Sequence, residues 1–150
     1  MAAVVGCDPI AWTGGPQAGE AVVRVDQAGY VADGVKTAVL MGPGDALAGA
    51  GFAVLDGRGR SVLTGKVGPR TRSWNQRFPS VHRAHLSALT APGTYRLSLT
   101  GTAAGVSPPF RVAPARELMV PLVEQNVRFF QAQRDGAEVV ADVLHRKPPT

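Results

Sequence analysis

The spacing of apolar residues in this chain changes once, between Pro108 and Arg134, and that change limits what the chain can become. Phe110 and Val112, flanking Arg111, alternate as a strand does. After Pro114, residues Met119, Val123, Val127 and Phe130 fall three or four apart, which is the repeat of one helix face. Leu118, Leu122 and Phe129 form a second apolar row on the same helix, so its apolar arc is wider than the single stripe of a surface helix. Such a helix wants cover on two sides. The strands before it can cover one side, but the residues after Gly136 are too few to cover the other. The pattern therefore predicts one complete small domain followed by the opening of another that is missing.

A chain of 150 residues is about one domain, long enough to bury a core without disulfide staples. Its 18 Gly and 12 Pro make up a fifth of the residues, which favours turns over long helices and predicts an all-β fold. Residues 1–20, with Gly14, Gly15, Pro16 and Gly19 and little periodicity, are expected to be a flexible tail. The domain proper starts near Ala21. Val23 to Val25, Lys36 to Met41, Phe52 to Leu55, Val62 to Val67, Val81 to Leu86, Thr94 to Thr100 and Phe110 to Val112 read as strands. Between them, Asp56-Gly57 signals a hairpin, and Pro92-Gly93 suits the two central positions of a type II turn. Seven or so short strands with turn signals between them are the pattern of a two-sheet, immunoglobulin-like β-sandwich. A barrel of similar strand count fits the same pattern. Tyr95 is either a corner tyrosine tying a loop to the sheet or, by default, a half-buried strand residue.

Few residues invite chemistry. The Gly-rich loop Gly42 to Gly51 has neither GxGxxG spacing nor a Gly-Lys-Ser/Thr ending, which excludes a phosphate cradle. Asp26, Asp33, Asp45 and Asp56 sit at strand ends or turns, where the common role is a local backbone hydrogen bond. Glu117, Glu124, Glu138 and Asp142 fit the solvated side of helical segments. His82 and His85 have the wrong separation for a metal pair on a strand or a helix and read as strand-surface residues. The single cysteine, Cys7, rules out an internal disulfide and has no base held beside it. Val4-Val5-Gly6-Cys7 resembles the cleavage box of a bacterial lipoprotein, but only six residues precede the cysteine where a signal peptide needs a charged start and a longer apolar core, so either the start has been trimmed or the match is chance. Neither metal nor cofactor is expected, and no stretch is long enough to span a membrane. The net charge of +5 is spread along the chain, apart from Arg70, Arg72, Arg77 and Arg83 with Trp74 and Phe78 among them. That cluster has the composition of a nucleic-acid surface but reads as a solvated loop and strand face, so no nucleic-acid partner is expected. Trp12 and Trp74 could stack on sugar rings, although isolated tryptophans more commonly pack.

Several motifs occur together in order: Val23-Arg24-Val25-Asp26-Gln27-Ala28-Gly29-Tyr30, the Phe52 to Gly57 hairpin, Leu86-Ser87-Ala88-Leu89 with Pro92-Gly93-Thr94-Tyr95-Arg96-Leu97, Ser107-Pro108-Pro109-Phe110-Arg111-Val112, and Phe129-Phe130-Gln131-Ala132-Gln133-Arg134-Asp135-Gly136. The series resembles the N-terminal immunoglobulin-like domain of glycoside hydrolase family 9 cellulases, with the first helix of their catalytic domain. The resemblance covers about residues 21 to 147. Asp26 stands where the family usually has Asn, and His85-Leu86-Ser87 where it often has Asp-Phe-Ser.

The resemblance implies an immunoglobulin-like sandwich of about seven to nine strands over residues 21–113. Residues 114–150 are then a linker and the first helix of a truncated (α/α)6 barrel. In the family that barrel hydrolyses β-1,4-glucosidic bonds of cellulose or related β-glucans with inversion, using two carboxyls about 6.5–9.5 Å apart. The motifs bearing those carboxyls lie beyond the point matching Thr150, so no residue here inherits their role and this chain alone is expected to be inactive. The implied role is structural, with the catalytic barrel as intramolecular partner and Tyr30, Gln133 and Arg134 as contacts between the domains. A secreted or cell-surface location follows from the same resemblance. The alternative is a free-standing carbohydrate-binding or surface-adhesion module using Trp74 with Arg70, Arg72 and Arg77.

Overall fold

The computed structural model describes residues 20–45, 47–101 and 103–133. The expected tail lies outside the described residues, Cys7 and Trp12 included, except for its last residue, Glu20, which bridges to Ala104; Arg134 also lies outside. Eight strands precede one helix: β1 (Val22–Arg24), β2 (Tyr30–Val31), β3 (Thr37–Gly42), β4 (Gly51–Leu55), β5 (Ser61–Lys66), β6 (Ser80–His85), β7 (Gly93–Thr100), β8 (Phe110–Ala113) and α1 (Ala115–Gln133). They form a three-stranded sheet in the order β1-β3-β6 and a five-stranded sheet in the order β2-β8-β7-β4-β5. All pairs are antiparallel except β2 with β8.

Each sheet turns one side to the other, because alternate residues of a strand point opposite ways. Ala38 and Leu40 of β3, Phe52 and Val54 of β4, Leu97 and Leu99 of β7 and Val112 of β8 fill the space between the sheets. Register keeps these rows together: Phe52 lies opposite Leu99, and Val54 opposite Leu97. On its other flank Phe52 faces Gly65 of β5. A Cβ there would come 2.5 Å from the ring, so the glycine makes room for the phenylalanine.

Four expectations change in the structure. The stretch from Gln27 to Gly34, where the sequence pattern predicts no strand, contains β2, whose two residues add in parallel to β8. Pro92-Gly93 is not a type II turn, since Gly93 does not have the positive φ that such a turn requires. Gly93 instead opens β7, and the Tyr95 hydroxyl folds back to 2.9 Å from where its Cβ would stand. That hydroxyl donates to the Ala91 carbonyl at 3.0 Å, so Tyr95 is a buried corner tyrosine and not a half-buried strand residue. His82 is buried too, where a strand surface was expected. Its Nδ1 bonds the Gly68 carbonyl at 2.8 Å and its Nε2 the Ser80 hydroxyl at 2.7 Å.

The helix departs furthest from expectation. Sandwich strands were expected to cover one side of it, yet Leu118 is its one buried residue among those described. Met119, Val120, Val123, Val127, Phe129 and Phe130 are all exposed, Phe130 to 66%.

Candidate functional site

The place where α1 leaves the sandwich is built by three segments: the loop from Asp26 to Lys36, the end of β8 and the first turn of α1. Asp26 starts the loop with a side-chain turn, its Oδ1 accepting the Ala28 amide at 2.9 Å. Gly29 follows at φ 102°, a conformation that side chains rarely adopt. The Leu118 methyl lies 2.8 Å, and the Arg111 carbonyl 3.0 Å, from the point a Cβ on Gly29 would occupy. Gly29 is thus the seat on which the helix rests.

Tyr30 anchors that seat from below. Its hydroxyl donates to the Thr37 carbonyl at 2.8 Å and accepts the Asp26 amide at 3.0 Å, closing the loop onto β3. The ring packs edge-on against Phe110, with centroids 5.5 Å apart and planes at 89°. Burial pushes the phenol above its ordinary value; the Asp26 amide opposes the rise and the Asp26 charge adds to it. Lys36 closes the other end of the loop. It is 0% exposed, and its Nζ donates to the carbonyls of Ala32 at 2.8 Å and Gly34 at 2.9 Å. These charge-assisted bonds satisfy two carbonyls of a tight turn.

Pro114 starts the helix, its carbonyl accepting the amides of Glu117 at 3.0 Å and Leu118 at 3.4 Å. Arg111 reaches Glu117 at 2.7 Å, but both side chains are more than half exposed and such pairs contribute little. Pro121, one turn further on, has no amide for the Glu117 carbonyl. Beyond it the helix carries its apolar side chains away from the sandwich.

Of the contacts expected between domains, Tyr30 is a core residue beneath the seat, and Gln133 is exposed at the far end of α1. Fifteen residues separate Gln133 from Leu118, or roughly 22 Å along the axis at helical rise, so the structure does not bring Gln133 and Tyr30 together. Lys36 and the seating role of Gly29 escaped the sequence reading. Parity held a signal for the first, since Lys36 falls in step with Ala38 and Leu40, which face the core. Among the described residues no three His, Cys, Asp or Glu side chains gather as metal ligands would. Nor is any helix there long and apolar enough to cross a membrane.

Comparison with known proteins places this geometry. The fold is similar to a mutant thermostable endoglucanase of Alicyclobacillus acidocaldarius, at 21% identity and TM-score 0.61 over 77% of this chain and 18% of that one. It is similar also to the glycoside hydrolase family 9 protein of Bacteroides ovatus, at 24% identity and TM-score 0.65 over 84% and 22%. A metagenome-derived family 9 endoglucanase matches at 24% identity and TM-score 0.66 over 83% and 23%. The chain thus spans about a fifth of the length of the structures it matches. No curated protein matches the sequence. Residues 18–104 match the family described as the cellulase N-terminal ig-like domain. That match takes in more than half of the chain, including the seat at Gly29 and its anchor Tyr30, and the chain therefore belongs to the cellulase N-terminal Ig-like domain family.

Proposed function

We propose that this sandwich is the structural support of a glycoside hydrolase family 9 catalytic domain that begins at α1. The observation that carries the reading is the uncovered helix. A soluble domain gains nothing from holding six large apolar side chains of one helix in water, whereas the first helix of an (α/α)6 barrel would bury them against its neighbours. The sandwich contributes position. Pro114 and the Leu118 seat hold the first turn of α1 against β2 and β8, and residues 114–150 continue as linker and first barrel helix. Gln133 and Arg134 then serve as polar contacts within the assembled protein. In this reading the whole protein hydrolyses β-1,4-glucosidic bonds of cellulose or a related β-glucan with inversion, and both reacting carboxyls belong to the barrel.

The test is the intact mass of the natural polypeptide detected by an antibody to the sandwich. A product several times heavier than 15.6 kDa is expected. A product of this mass would overturn the reading.

A further inference from the structure

We propose that the segment from Gly68 to Pro79, with Arg83 of β6, is a binding surface for an anionic polysaccharide. Sixty consecutive residues, Gly57 to Arg116, contain ten Lys and Arg and no Asp or Glu. The folded chain concentrates part of that charge at one edge. After β5 the backbone crosses to the outer edge of β6, where Arg72 bridges to Val81 and the Gly68 amide reaches the Arg83 carbonyl at 2.9 Å. Arg70, Arg72 and Arg83 therefore lie along one edge, and no ion pair joins them or Arg77 to a carboxylate among the described residues.

The segment is held in shape before any ligand arrives. Thr71 bonds the Val81 carbonyl through its amide at 2.8 Å and its hydroxyl at 2.9 Å, and Arg70 caps the Pro79 carbonyl at 2.7 Å. Trp74 and Phe78 close a short turn, with the Trp74 amide donating to the Phe78 carbonyl at 3.0 Å and the Phe78 amide to Asn75 Oδ1 at 2.9 Å. Buried His82 ties the start of the segment down through the Gly68 carbonyl. Little ordering is left to oppose binding.

Trp74 is 62% exposed, and the Arg72 guanidinium lies 5.6 Å from its ring centroid. Arg77 sits likewise 5.8 Å from the Phe78 ring. An arginine over one face of the indole leaves the other face for a pyranose ring, while the guanidinium edges remain free to pair with carboxylates on the sugars. A neutral glucan would use the ring alone and leave the charge idle. The choice of a polysaccharide over a nucleic acid rests on the proposed function; the surface itself does not, because it lies on the three-stranded sheet and α1 rests against the other.

The test is affinity electrophoresis of the full chain at pH 7 in gels containing polygalacturonate or, separately, neutral hydroxyethyl cellulose. Retardation by polygalacturonate alone is expected, weakening as salt rises. The double variant Arg72→Gln/Arg77→Gln should bind about tenfold more weakly, and Trp74→Ala should also lose retardation. Arg58→Gln/Arg128→Gln, which removes the same charge elsewhere, should not. No retardation by polygalacturonate, or an equal loss in both double variants, would overturn the proposal. Equal affinity for duplex DNA that also depends on Trp74 would overturn it in favour of a nucleic-acid surface. If the natural polypeptide proves heavy and polygalacturonate is ignored, this surface fails while the catalytic-domain reading stands.

Discussion

The sandwich and the helix treat their apolar residues in opposite ways. Leu40, Val54, Leu97 and Val112 alternate along four strands and are fully buried, because each sheet supplies the lid of the other. Met119, Val123, Val127 and Phe130 repeat along α1 with equal regularity and stay in water. Periodicity tells which side of an element wants cover, and says nothing of whether the cover is at hand. Among the described residues of α1, Leu118 is the one buried against the sandwich, and there the contact depends on a glycine.

The contrast predicts a wide spread in the cost of removing apolar groups. Leu97→Ala should destabilise the sandwich by about 2–5 kcal/mol in urea unfolding, since it opens a cavity between closed sheets. A cost below about 1 kcal/mol would mean that the sheets are not tightly packed. Next comes the seat. Gly29→Ala forces a side chain into positive φ and against Leu118, and should cost about 1–3 kcal/mol. It should also speed proteolysis within α1 while leaving β7 amides protected from exchange, and unchanged cleavage would separate the helix from its seat. Tyr30→Phe leaves the Thr37 carbonyl and the Asp26 amide without their partner and should cost about 1–2 kcal/mol.

The same phenol gives a pH signature. Because burial raises its value in the folded state, its contribution is fully present below the ordinary value of 10.0 and falls as pH rises through the folded value. Alkaline unfolding curves of the wild type and Tyr30→Phe should therefore converge above pH 10. Asp56 has the opposite sign. Its carboxyl, held low first by the Arg60 amide and then by the Arg60 side chain and the Arg58 amide, supports the β4–β5 turn above 3.8 and loses that effect as pH falls. Asp56→Asn should flatten the acid limb of the stability curve slightly. The smallest effect is expected on the helix: Phe129→Ser with Phe130→Ser should change unfolding by less than about 0.5 kcal/mol, because neither ring is buried. Self-association at high concentration should drop in the same variant, as sedimentation would show.

The sequence by itself determined seven of the eight described strands, all but β2, and the alternation along most of them. Alternation in Thr94 to Thr100, the Asp56-Gly57 turn and the change of spacing at Pro114 are local signals, set by backbone geometry within a few residues. The motif order from Val23 to Tyr30 onward was enough to point to the family to which the chain belongs. The tertiary structure alone decided what each side chain is used for. Lys36 and His82 look like surface residues in a string of letters and are buried, because the folded loop turns the Ala32 and Gly34 carbonyls onto Lys36 and the Gly68 carbonyl reaches His82 from the neighbouring segment. Gly93 looks like a turn residue, yet it makes room for a hydroxyl two residues on. Gly29 looks like one more loop glycine until Leu118, almost ninety positions later, comes to rest on it. A residue's period is written in its neighbours along the chain, whereas its partners are fixed only when the chain returns to it.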